Sequence, residues 1–245
     1  MREALVVGGA NGIGLAIATL LAQDAENGKI YIVDRVDVDS QYANAKFEYR
    51  NFDLRSEDFS LFDEFKGVDT LMITAGFGRL AHFAEVEEEH IVDSFSVNTT
   101  AVVRIIRHFY DRLLGNKEFY CGVMGSIAGF MSSPLFAVYG ATKAALKIFI
   151  ESVNVELEMA GSKNRILNVS PGSIKGTAFY NGGNDLNLTI TLAQDIVNHM
   201  KAHDDLFIPM YDEVFREVLE RYHTDFRAEG RHSYEYKMKS GRVKK

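Results

Sequence analysis

Along the chain, short apolar runs rich in β-branched residues alternate with longer segments whose apolar positions recur every three or four residues. The short runs cover residues 4–7, 29–33, 46–52, 70–74, 119–124, 165–169 and, last in the series, 206–209. Compact runs of this kind predict strands, and the three-to-four spacing predicts amphipathic helices. The first, fourth and fifth runs are almost wholly apolar, as strands covered on both faces are. The alternation therefore predicts an α/β fold, a doubly wound parallel sheet of the Rossmann type. Residues 87–114 and 139–160 read as two long helices. Between Asp34 and Phe47 there is room only for a loop or about one helical turn, so that crossover is predicted to be abbreviated.

Composition narrows the picture. A length of 245 residues, 47% hydrophobic and 25% charged, suits one globular α/β domain. With three prolines, no internal repeat and no low-complexity tract, a single domain over 1–245 is expected, its core at 1–177 and a substrate loop with a C-terminal extension at 178–245. A net charge of −7 leaves no positive field to hold a nucleic acid or an anionic membrane, and neither partner is expected. No stretch approaches the roughly 18 apolar residues that span a bilayer, and the N-terminus lacks a signal peptide's pattern, so a cytoplasmic protein is expected. The single cysteine, Cys121, sits in a strand-like run and supplies neither a disulfide nor a metal cluster; no metal site is expected. The basic end, Lys237, Lys239, Arg242, Lys244 and Lys245, reads as a solvated, frayed terminus.

The first strand leads into Gly8-Gly9-Ala10-Asn11-Gly12-Ile13-Gly14, and an amphipathic helix opens directly after the last glycine. Glycines permit a sharp turn and close approach of a pyrophosphate, while free N–H groups and the helix dipole attract its charge. Asp34 ends the second strand about 20 residues further on, where a carboxylate accepts hydrogen bonds from the adenosine ribose. It would also repel a 2′-phosphate, so NAD is expected ahead of NADP. Arg35 beside it is the counter-argument, since a guanidinium there suits that phosphate.

After the fifth run comes Gly125-Ser126-Ile127-Ala128-Gly129, and 13 residues beyond Ser126 stands Tyr139-Gly140-Ala141-Thr142-Lys143. Four residues apart on a helix, Tyr139 and Lys143 share a face. A phenol's ordinary pKa near 10 is too high for a base at neutral pH, and an ammonium nearby is expected to lower it. Together with Asn98 and Pro171-Gly172, these motifs resemble the core branch of the short-chain dehydrogenase/reductase family in both order and spacing, over residues 3 to about 177. The resemblance implies hydride transfer between nicotinamide and an alcohol or carbonyl carbon of a small molecule, with Tyr139 as proton donor and acceptor. It implies that Lys143 binds the nicotinamide ribose, that Ser126 donates to the substrate oxygen, and that Asn98 holds a helix distortion and a water. Adenine contacts from Asp53 and Leu54 are implied, as are cofactor contacts from Ala75, Gly76, Pro171, Gly172 and Ile174.

Three departures stand out. Ile73-Thr74-Ala75-Gly76 lacks the family's strand-bridging asparagines, and Thr177 falls one residue later than usual, so it is not counted among the cofactor contacts. The usual glycine-rich C-terminus is replaced by a helix-like stretch at 211–222 and a polar tail. That puts one common tetramer interface in doubt and leaves a homodimer or homotetramer as the expectation. Residues 77–83, 130–136 and 179–183 are expected to line the substrate end, the last as a lid with glycine hinges. A non-catalytic NAD(H)-binding regulator on the same fold is the competing reading; the intact Ser126, Tyr139 and Lys143 argue against it. Dehydration or epimerisation is a third, and the glycine spacing argues against that.

Overall fold

All seven predicted strands form, and they join one parallel sheet. The computed structural model describes residues 1–177, 179 and 184–243. Its strands β1 (Arg2–Val7), β2 (Asn27–Asp34), β3 (Phe47–Asn51), β4 (Thr70–Ile73), β5 (Tyr120–Met124), β6 (Ile166–Val169) and β7 (Leu206–Phe207) lie in the order β3-β2-β1-β4-β5-β6-β7. The order reverses between β1 and β4, and a doubly wound sheet opens its binding crevice at that switch point, beyond the strands' carboxyl ends.

The helices are α1 (Gly12–Gln23), α2 (Glu88–Phe95), α3 (Ala101–His108), α4 (Tyr110–Leu114), α5 (Ala137–Met159), α6 (Ile190–Lys201), α7 (Arg216–Thr224) and α8 (Phe226–Lys239). Successive strand residues face opposite sides, so β1 contributes Ala4 and Val6 to one core and Leu5 and Val7 to the other. The first core is closed by Ala16, Ile17 and Leu21 of α1 and by Ala193, Ile196 and Met200 of α6. On the second face Ile105 and Ile106 of α3, Leu146 and Ile150 of α5, and Phe62 and Phe65 of a 3-10 turn cover Leu71, Ile73 and Val123. The abbreviated crossover is as expected: between β2 and β3 the only helical turn is Ser40–Tyr42. No helix among the described residues is long and apolar enough to cross a membrane.

Two expectations are corrected. Residues 87–114 are not one regular helix. After α2 the chain widens into a π-type turn, Ser96–Thr100, before α3, and it breaks at Phe109 before α4. The cause of the widening is Asn98. Its Oδ1 accepts from the Phe77 N–H at 2.9 Å and its Nδ2 donates to the Phe77 carbonyl at 2.8 Å, pinning that turn to the segment after β4.

The second correction concerns the C-terminus, which is not a frayed polar tail. Residues 211–222 begin as a π-type turn, Tyr211–Phe215, and continue as α7. Asp225 then caps α8, its carboxylate accepting from the Arg227 and Ala228 N–H groups at 2.9 and 3.0 Å. Arg221 of α7 and the buried Glu229 of α8 pair at 2.7 Å and fasten the two helices together. Lys237 turns inward, donating to Ser133 Oγ at 2.6 Å and to the Pro134 carbonyl at 2.9 Å. Lys244 and Lys245 lie outside the described residues.

Candidate active site

The glycine turn is shaped by close backbone approach. Gly8 has φ +83°, and a Cβ there would stand 2.5 Å from the Ala75 nitrogen, so glycine alone fits. Thr74 Oγ1 reaches the carbonyls of Val7 at 3.1 Å and Gly8 at 2.9 Å. A single hydroxyl thus ties β4 to β1 where the family's asparagines are missing. Asn11, Gly12, Ile13 and Gly14 open onto a cleft of about 920 Å³. The Gly12 N–H donates to Asn184 Oδ1 at 2.8 Å. Ala10 departs from expectation: it is fully buried beneath the turn, and its N–H donates to Asp34 Oδ2 at 3.1 Å. The other oxygen of Asp34 accepts from the Arg35 N–H at 2.7 Å and the Val36 N–H at 3.4 Å, so the lone pair left for a ligand is on Oδ2.

From Asp34 the cleft runs past Asp53 and Leu54, then Ala75 and Gly76, to Ser126, Tyr139 and Lys143, with Pro171, Gly172 and Ile174 on the facing wall. At its β2 end Arg55 bonds Asp53 at 2.6 Å and Asp93 at 3.1 Å. That guanidinium holds the Asp53 carboxyl down to about 2.

Ser126 follows β5 and caps a short 3-10 turn, its Oγ accepting from the Ala128 N–H at 3.2 Å. The turn lies so close to α5 that a Cβ on Gly129 would sit 2.7 Å from the Lys143 carbonyl. This contact brings Ser126 onto the wall that carries Tyr139 and Lys143, which are 9% and 3% exposed. The Tyr139 ring stacks on Phe136, with centroids 4.3 Å apart, and Phe179 stands 5.2 Å away. Lys143 Nζ lies 5.6 Å from the centre of the Tyr139 ring and donates to the Met124 carbonyl at 2.7 Å.

The expected depression of the phenol's pKa is absent. Burial pushes Tyr139 up to about 12, a rise only partly countered by the Ser126 hydroxyl. Burial likewise draws the Lys143 amine down to about 8. Desolvation outweighs attraction here because the ammonium is directed at a backbone carbonyl, not at the phenol.

Asn98 also sits differently from a cleft residue. It is fully buried behind Gly76 and touches Phe77 and Thr142 Oγ1, the latter at 3.2 Å. A Cβ on Gly76 would meet Asn98 Oδ1 at 3.2 Å and Lys143 Nζ at 3.4 Å, so the bare glycine faces both. Thr177, left out of the expected contacts, is buried on the cleft wall beside Gly12. The turn at Lys175-Gly176, with φ +78° at the glycine, absorbs the extra residue that hid it. Of the expected substrate stretches, Phe77, Met131, Ser133, Phe136 and Phe179 line the cleft; the glycine hinges at 182 and 183 lie outside the described residues. Sequence reading missed Phe215, Val218, Glu229 and Lys237, which α7, α8 and the turn before them bring to the same cleft. The apolar pair Phe215 and Val218, three apart, was the available signal.

A model of the short chain dehydrogenase family matches residues 2–185. An uncharacterized short-chain type dehydrogenase/reductase of Sinorhizobium fredii, y4eK, is 29% identical over 70% of this chain and 69% of its own. The 3-oxoacyl-acyl-carrier-protein reductase FabG of Vibrio cholerae is 30% identical over 79% of this chain and 81% of its own. The solved structure of a short-chain dehydrogenase from Sphingobium yanoikuyae in complex with NADPH superposes with a TM-score of 0.72, covering 92% of this chain and 96% of that one at 20% identity. The chain belongs to the short-chain dehydrogenase family, whose members are oxidoreductases that use nicotinamide dinucleotides. The matched region ends before α6, so α7 and α8 lie outside it.

Proposed function

We propose that the protein is an NAD(P)-dependent oxidoreductase that moves a hydride between nicotinamide and an alcohol or carbonyl carbon, with Tyr139 as general acid and base. The observation that carries this reading is the convergence of Ser126, Tyr139 and Lys143 on one wall of the cleft whose other end is the glycine turn. The turn suits a dinucleotide: Gly12, Ile13 and Gly14 line the cleft where α1 begins, and the Gly12 N–H, held by Asn184 Oδ1, is the donor a phosphate would take over. Bound nicotinamide supplies the hydride chemistry; the protein handles the proton and the geometry.

A phenol held at about 12 is a proton donor at neutral pH, so Tyr139 is ready to protonate a carbonyl oxygen as it gains charge. Ser126 is placed to donate to the same oxygen. Oxidation needs the phenolate, and the group at hand to stabilise it is Lys143, once its ammonium turns from the Met124 carbonyl toward the ring. Asn98 acts at one remove, fixing Phe77 on the cleft wall. Asp34 favours NAD, and NADP remains compatible through Arg35 on the same wall. The exposed Ile148, Val155 and Met159 on α5 support a two-fold dimer through that helix.

The test is a titration with NADH and NADPH followed by nicotinamide fluorescence, then a panel of alcohols and ketones read at the absorbance of the reduced cofactor. Tyr139→Phe is expected to keep the fold and the dinucleotide affinity and to lower turnover by about 10²–10⁴-fold or more. Residual activity within tenfold of wild type removes Tyr139 from the proton role, and dinucleotide binding without turnover by the wild type favours the regulator.

A further inference from the structure

Beyond Tyr139 the cleft is walled by apolar side chains, Met131, Phe136, Val214, Phe215 and Val218 among them, and it ends on α8. Phe215 packs so tightly on Gly172 that a Cβ there would lie 2.7 Å from its ring, which fixes the C-terminal helices against the Pro171-Gly172 turn. At this end stands Lys237, whose recorded partners are two neutral oxygens, Ser133 Oγ and the Pro134 carbonyl. Among the described residues no carboxylate lies within ion-pair distance of it. The one buried acid nearby, Glu229, is already paired with Arg221 at 2.7 Å and approached by His232 at 3.6 Å. The remaining charge acting on Lys237 is Arg242, of like sign. Ser133 in turn is tied to the catalytic wall: its carbonyl accepts from the Phe136 N–H at 2.9 Å, and Phe136 stacks on Tyr139.

We infer that Lys237 is a specificity residue that selects an alcohol or ketone with an apolar body ending in a carboxylate. An ammonium has three N–H donors, and two are spent on Ser133 and Pro134. The one left matches a carboxylate, whereas a phosphate dianion calls for more charge and more donors than the site provides. Burial draws the Lys237 amine down to about 8, with Arg242 adding to the effect, so an anion bound there raises it again and takes up protons above that pH.

The inference rests on the oxidoreductase reading, and a binding experiment separates the two. Calorimetry on the NADH-saturated protein compares 4-phenylbutanoate with 4-phenylbutanamide, and turnover compares 4-oxo-4-phenylbutanoate with its methyl ester. The acid is expected to bind about 10- to 100-fold more tightly than the amide, as one charge-assisted hydrogen bond in a part-buried site provides, with proton uptake at pH 8.5. Lys237→Met is expected to remove both the preference and the uptake, and Lys237→Arg to restore the preference in part. If the acid is preferred but neither keto compound turns over, the subsite stands and the oxidoreductase reading is what fails. No preference in the wild type, a preference that survives in Lys237→Met, or one removed by Arg79→Met instead, a cation that shares a small cavity with Tyr139, overturns the assignment.

Discussion

Replacing Lys143 with methionine should stabilise the folded protein at neutral pH. The amine is 3% exposed and is drawn by burial from 10.5 to about 8, so the native state holds this proton more weakly than the unfolded chain does. Between pH 8 and pH 10.5 the unfolded chain carries more protons, and stability rises with pH; below 8 the full penalty is present. The difference of 10.5 and 8, at about 1.4 kcal/mol per unit, makes that penalty about 3 kcal/mol. Methionine removes it but also deprives the Met124 carbonyl of its donor, which costs about 1 kcal/mol. Lys143→Met should therefore be more stable than wild type by about 2 kcal/mol at pH 7 and less stable by about 1 kcal/mol near pH 10.5. Urea unfolding of both proteins at pH 7, 8, 9 and 10, followed by circular dichroism, measures the difference. The Cys121 thiol, shifted by burial alone, titrates in both and cancels. Stability curves that stay parallel across this range would refute a penalty stored in Lys143.

Three further substitutions probe the scaffold. Thr74→Val keeps the shape but removes the hydroxyl that joins β4 to the carbonyls of Val7 and Gly8; a loss of about 1 kcal/mol and weaker NADH binding are expected from unfolding and fluorescence titration. Asn98→Ala breaks the bonds to Phe77 and Thr142 in a fully buried site, and calorimetry should show a loss of about 2–4 kcal/mol; a transition temperature unchanged from wild type contradicts the account of the wide turn. Asp34→Asn preserves an oxygen for the Ala10 N–H while discharging the site, and should lower the ratio of NADH to NADPH affinity by about tenfold; an unchanged ratio means that Asp34 does not read the ribose.

The sheet was legible in the sequence because burial on two faces leaves a direct trace. Ala4 and Val6 must satisfy one core and Leu5 and Val7 the other, so the run has no polar member. The glycine turn and the pair Tyr139 and Lys143 were legible because each depends on local spacing. What sequence could not supply was the direction of long-range contacts. Whether Lys143 faces a phenol or a carbonyl depends on the height of Met124 against α5, which no spacing within either element encodes. The bond from Lys237 to Ser133 joins residues 104 apart in the chain, and α8 has so few apolar positions that its cap at Asp225 is a better sign of a helix than its periodicity. The π-type turn was expected only as a distortion at Asn98, since its form is dictated by two backbone groups on another element.

That turn also decides how the chain responds to a change of length. A π-type turn holds about one residue more than a regular α turn, so the stretch from α2 to α3 carries a surplus residue. Because the widened turn absorbs that surplus, deleting Val97 would let the helix close at its ordinary pitch with α3 still presenting the same face to the sheet. Val102, Ile105 and Ile106 would stay on the sheet, and what would be lost is the wide turn that Asn98 bonds to Phe77. Here a residue that the helix pitch does not need lets Asn98 serve the cleft wall without turning α3 off the core.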